Sequence, residues 1–75
     1  MRRRNVSGIE CVKILTKHFG FSIKRQTGSH IVLRKETPQG AIGTVVPNHK
    51  KLKTGTIKGV LRLAKVSEKE FFSHT

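Results

Sequence analysis

At Gly20 the hydrophobic period of this chain changes from that of a helix to that of a strand, and the change sets the elements and their order. Before it, Gly8, Val12, Leu15 and Phe19 follow one helical face, Cys11 flanks that face, and Lys13 and Lys17 point away. Ser7 and Glu10 have the spacing of a capping box, in which hydroxyl and carboxylate each satisfy a free backbone donor, so a helix is predicted to start there. Gly20 offers the left-handed stop.

After Gly20 apolar residues recur at every second position. Phe21 and Ile23 alternate with Ser22, Lys24 and Gln26, and Gly28-Ser29 supplies a turn. A second run, His30 to Lys35, places Ile31 and Leu33 on one face and His30, Val32 and Arg34 on the other, because strand side chains alternate. Thr37-Pro38-Gln39-Gly40 makes the next turn, with Glu36 read as part of it, and Ala41 to Val46 supplies a third strand that Pro47 ends. A basic connection, Asn48 to Thr54, leads to Gly55 and to Thr56 as the cap of a second helix. There Ile57, Val60, Leu61 and Ala64 share one face, while Lys58, Arg62 and Lys65 form a basic stripe on the other. Ser67 and Glu70 repeat the capping-box spacing and start a short final turn carrying Phe71 and Phe72. The expected class is α+β: a helix, a three-stranded antiparallel sheet, a helix and a C-terminal helical turn.

Seventy-five residues suffice for one core, since a chain of that length buries only roughly 60% of its unfolded surface. The reading is a single domain over 1–75, with a basic tail at 1–6 and a core at 7–72. No apolar run approaches a membrane span, and Met1-Arg2-Arg3-Arg4 leads into polar sequence, not a signal-peptide core, so the chain reads as cytoplasmic. Cys11, the single cysteine, excludes an internal disulfide and a multi-thiolate zinc site, and its apolar neighbours make it a core thiol.

Sixteen Lys and Arg against four Asp and Glu give a formal charge of +12. From Cys11 to Lys35, and again from Thr37 to Ser67, there are six basic residues and no acid. Such segments cannot neutralise themselves, and the partner they call for is polyanionic: nucleic acid, an anionic membrane or an acidic protein. Neither helix carries apolar surface beyond what a core needs, which weakens the membrane. Trp and Tyr are absent, and Phe19 and Phe21 read as buried, so recognition through many stacked bases is disfavoured against contact with RNA phosphates and hydroxyls.

Gln26-Thr27-Gly28-Ser29-His30, then Arg34, Val46-Pro47-Asn48-His49 and Leu52-Lys53-Thr54-Gly55-Thr56-Ile57, together resemble the HicA-type toxins. The likeness extends to Ser7-Gly8-Ile9-Glu10, Lys13, Leu15 and Gly20-Phe21 in front, and to Leu61, Ala64, Val66-Ser67 and Glu70-Phe71 behind. One departure is Lys65-Val66, where many relatives have Gly-Ile. The resemblance implies a double-stranded RNA-binding-like fold and a toxin of a type II toxin-antitoxin pair, an endoribonuclease that cleaves mRNA and is neutralised by a HicB-type antitoxin. It implies that His30, the histidine after Gly28-Ser29, is catalytic.

A histidine exchanges protons near neutral pH, and RNA cleavage needs a base for the ribose 2′-hydroxyl. Without the resemblance, His30 reads sooner as a turn histidine bonded to its own hairpin. Arg34, on the same strand face, and Lys24, on the neighbouring strand, are candidates to hold phosphate. Gln26, Ser29, His49, Lys50 and Lys53, carried by the same motifs and the basic connection, complete the RNA-contacting set. For His49, phosphate contact, antitoxin contact and no role all stand open. His18 reads as packing rim and His74 as tail. Clusters of metal ligands are missing, so no metal or cofactor is expected. A non-catalytic RNA-binding module with the same fold and charge is the alternative function.

Overall fold

The computed structural model describes residues 5–75 and runs α1 (Gly8–His18), β1 (Ser22–Thr27), β2 (His30–Thr37), β3 (Gly40–Pro47), α2 (Thr54–Ala64) and α3 (Glu68–Phe72). The expected basic tail falls largely on residues 1–4, outside the described residues. Ser7 caps α1: its Oγ accepts from the Glu10 N–H at 3.0 Å. The helix closes at Phe19, after which Gly20 turns the chain with φ 79°, a conformation that costs glycine little. Phe19 is only half-buried, packing on the rim of the core, whereas Phe21 lies within it.

The strands form one antiparallel sheet in the order β1-β2-β3. Gly28, at φ 57°, turns the first hairpin, and Pro38-Gln39 turns the second. β2 runs through Glu36 to Thr37, so Glu36 is a strand residue and not part of the turn. The helices pack over β3, Ile31 and Leu33 of β2 reach into the same core, and β1 is exposed along its whole length. Ile23, whose partner Leu33 is fully buried, is therefore 57% exposed.

β1 contains a bulge. Ile23 pairs with Leu33 and Arg25 with Val32, so Lys24 is the extra residue and the alternation reverses there. Arg25 and Thr27 then share the solvent face with Val32 and His30, while Gln26 stands opposite the core residue Ile31. The regular alternation expected for β1 put Gln26 on the His30 face. A one-residue insertion is enough to exchange it with Arg25.

α2 begins at Thr54 with Lys53 in the cap position and no side-chain cap, three residues ahead of the cap expected at Thr56. Its inner face is the one expected: Ile57, Val60, Leu61 and Ala64 are buried, and Lys58 and Arg62 are exposed. Thr44, the buried polar side chain of β3, donates to the Val60 carbonyl at 2.9 Å, which removes the cost of burying its hydroxyl. α2 ends on Lys65 in the left-handed conformation, φ 57°. Ser67 caps α3 through the Glu70 N–H and also bonds the Glu70 carboxylate, both at 3.1 Å, and Phe71 inserts into the core at 0% exposure.

Val6, assigned to the tail from sequence, is fully buried, and its carbonyl accepts from Leu52 N–H at 2.8 Å. The core thus begins before α1. Its central members are Val6, Cys11, Leu15, Leu33, Leu61 and Phe71. His74 is no loose tail: its ring stacks on His18 with centroids 3.8 Å apart and meets the edge of Phe19.

Candidate RNA-facing site around His30

His30 opens β2 on the exposed face of the sheet, between Thr27 of β1 and Pro47 of β3. The helices cover the opposite face, so nothing in the core competes for its imidazole. Immediately before it, the Ser29 carbonyl accepts from Asn48 N–H at 2.6 Å, which ties the first hairpin turn to the exit of β3. That exit is held from the other side by α1. Gly8 donates to the His49 carbonyl at 2.8 Å, and a Cβ on Gly8 would lie 2.1 Å from the Pro47 carbonyl oxygen. Glycine is required there because only a bare Cα lets the helix start approach so closely.

Ser29, His30, Asn48 and His49 are thereby gathered at one end of the sheet, and all four are exposed. Lys50 and Lys53 follow in the connection to α2, also exposed, at the same end. Arg25, which the regular alternation hid, is diagonal to His30 across the β1–β2 pair and becomes a cation of this face. The signal for it in the sequence was weak, because a bulge has no residue signature of its own in Ile23-Lys24-Arg25.

Arg34 and Lys24 are brought together, but elsewhere. They line a shallow depression of about 270 Å³ with Val32, Ala41, Ile42 and Gly43, toward the far end of β2. Four residues of extended chain separate Arg34 from His30, about 13 Å between Cα atoms. Arg34 therefore does not share a site with His30. It is also partly neutralised: its Nε donates to the Glu36 carboxylate at 2.6 Å, two residues along the same strand face. A Glu36 placed in the turn would not meet Arg34; in β2 the two share a face. Both side chains are largely exposed, so the pair orients Arg34 more than it stabilises the fold. Gln26 stands on the other face of β1.

Among the described residues no cluster of three or more His, Cys, Asp or Glu is arranged to hold a metal ion. No helix among them is long and apolar enough to cross a membrane. The arrangement is an exposed imidazole at one end of a basic, solvent-facing strand surface.

A family model described as HicA toxin of bacterial toxin-antitoxin matches residues 8–66, from the first residue of α1 to the residue after the α2 cap. The chain belongs to the HicA toxin family. It is accordingly a toxin of a bacterial toxin-antitoxin system, and its counterpart is an antitoxin. No curated protein matches the chain. The HicA match takes in the Gly28-Ser29-His30 turn, the Pro47-Asn48-His49 exit and the glycine at position 8 that holds them together, while α3 lies beyond it.

Proposed function

We propose that this HicA toxin is a metal-independent endoribonuclease acting on mRNA in the cytoplasm, with His30 as its catalytic residue, and that a HicB-type antitoxin neutralises it by covering the exposed sheet face. The observation that carries the reading is His30 itself: an exposed imidazole on a basic face, within the segment that matches the toxin family. The element order, helix, three strands, helix, is that of a double-stranded RNA-binding-like fold and supports backbone and shape recognition.

In this reading His30 takes the proton from a ribose 2′-hydroxyl. The freed oxygen attacks the adjacent phosphorus as the bond to the 5′-oxygen breaks, the 5′-oxygen takes a proton from water, and a 2′,3′-cyclic phosphate remains. Arg25, Lys50 and Lys53, the cations at the His30 end, stabilise charge building on the phosphoryl oxygens. Ser29 and His49 bound the same end and position the backbone. Lys24 and Arg34 hold a phosphate farther along the RNA, and Gln26 contributes from the edge of β1.

The test is incubation of the purified chain and its His30→Ala variant with defined RNA in chelator, followed by analysis of product ends. We expect chelator-resistant cleavage leaving 2′,3′-cyclic phosphate, reduced at least about a hundredfold by the substitution. Near-wild-type cutting by a folded His30→Ala protein, or a strict metal requirement, sinks the proposal. Growth arrest by the lone chain that persists in the variant points instead to sequestration of RNA without cleavage.

A further inference from the structure

The two edges of the sheet are unlike. β1 is interrupted by its bulge and carries Lys24 and Arg25, devices that discourage another strand from pairing there. β3 has neither. Gly40–Pro47 contains no charged residue, and its register with β2 runs unbroken from Thr37↔Gly40 to His30↔Pro47. With Thr37 and Gly40 closing the two-residue turn as a bonded pair, Ile42, Thr44 and Val46 bond to β2. Ala41, Gly43 and Val45 consequently direct their N–H and C=O groups away from the sheet. Among the described residues no backbone group pairs with them.

The surroundings of that edge select an occupant. Ala41 and Ile42 line both the depression that holds Lys24 and Arg34 and a second one, about 350 Å³, on the helix side, where Lys65 forms part of the wall. A strand added beside β3 would point alternate side chains to these two sides. Each side presents cations, Lys24 and Arg34 on one and Lys65 on the other. The Arg34 charge is shared with Glu36, which stands opposite Ala41, so Lys24 and Lys65 carry the net attraction. The small side chains of Ala41 and Gly43 leave room for the newcomer. A second copy of this chain, also at +12, is repelled.

We propose that the free edge of β3, at Ala41, Gly43 and Val45, is a strand-addition site for an extended acidic segment of a partner protein. Main-chain hydrogen bonds supply the affinity, and carboxylates facing Lys24 and Lys65 supply the selectivity. The site does not depend on His30 or on RNA cleavage.

The probe is an eight-residue peptide alternating glutamate and valine, compared with the same peptide N-methylated at every residue, which keeps the charge but removes the donors along both edges. Amide hydrogen exchange of the ¹⁵N-labelled chain is the readout. The parent peptide should slow exchange at Ala41, Gly43 and Val45 at least about tenfold, and the methylated one should not. Gly43→Pro, which deletes one outward N–H at a position with space for a side chain, should weaken the parent peptide by a similar factor. Should that variant fail to fold, the two-peptide comparison on the unaltered chain decides. Equal binding of both peptides, protection confined to the Asn48–Lys53 connection, pairing of two copies through this edge, or equal protection by a single-stranded RNA would each overturn the proposal.

Discussion

Gly8 shows how much of a site can rest on the absence of one side chain. Its α carbon lies against the Pro47-Asn48 backbone, with Asn48 Cα 2.9 Å from where a Cβ would stand, and backbone cannot yield as a flexible side chain would. Gly8→Ala should therefore destabilise the protein by about 2–4 kcal/mol despite alanine's higher helix propensity. Denaturant unfolding measures this, and amide shifts at Ser29 and His49 should report the displaced β3 exit. Cys11 makes a different residue-scale statement. Burial, with the nearby Glu10 charge, pushes its thiol from 9.0 up to about 12. Below pH 9 both folded and unfolded chains keep the proton; above it the unfolded chain releases it and the folded chain does not. The thiol's contribution to stability thus falls by roughly 1.4 kcal/mol per pH unit between about 9 and 12. Urea midpoints at pH 8 and pH 10 should diverge more for the wild type than for Cys11→Ala.

Among the elements, α2 has the weakest ends. It starts without a side-chain cap, and Lys65 at its close adopts φ 57°, where a Cβ crowds the backbone. The family likeness places a glycine at this position, and the backbone supplies the reason. Lys65→Gly should stabilise the domain by about 1 kcal/mol, which for a chain of this size raises the melting temperature by roughly 4–8 °C. A melting temperature that stays or falls would show that Lys65 contributes more through its charge or contacts than its conformation costs. The C-terminal turn is better secured: Ser67 caps α3, Phe71 anchors it, and His74 stacks on His18. Desolvation, then the neighbouring His74 and Lys17, lower the His18 pKa. The capping serines of α1 and α3 were legible because a cap is a contact between residues three apart. The bulge in β1 was not, since pairing across a hairpin decides which residue is extra.

For the whole molecule, the charge of +12 is divided between surfaces with different prospects. Lys58 and Arg62 face solvent on the helical side, while Arg25, Arg34 and the Lys50–Lys53 segment border the open sheet and its His30 end. If RNA lies on the latter, with about four phosphates neutralised on a single strand, affinity should fall roughly fiftyfold between 50 and 200 mM salt. Filter binding with the His30→Ala variant, over a salt series, measures that slope. A flat dependence would contradict recognition through phosphates. Replacing Lys58 and Arg62 together should leave the slope unchanged.

The sequence by itself determined the α+β class, the order of elements, the two serine caps, the positions of the turns, the core face of α2 and most of that of α1, where Ile14 is buried and Phe19 stays on the rim. These depend on interactions within a few residues, and hydrophobic period and turn chemistry record them directly. The HicA motifs likewise pointed to His30 without any coordinates. Only the tertiary structure decided that Val6 joins the core, that Arg25 replaces Gln26 on the His30 face, and that Arg34 is paired with Glu36 well away from the histidine. It also decided that β1 overhangs the helices and that the edge of β3 is open. These follow from how distant segments register and pack against one another, which no local pattern in the chain encodes.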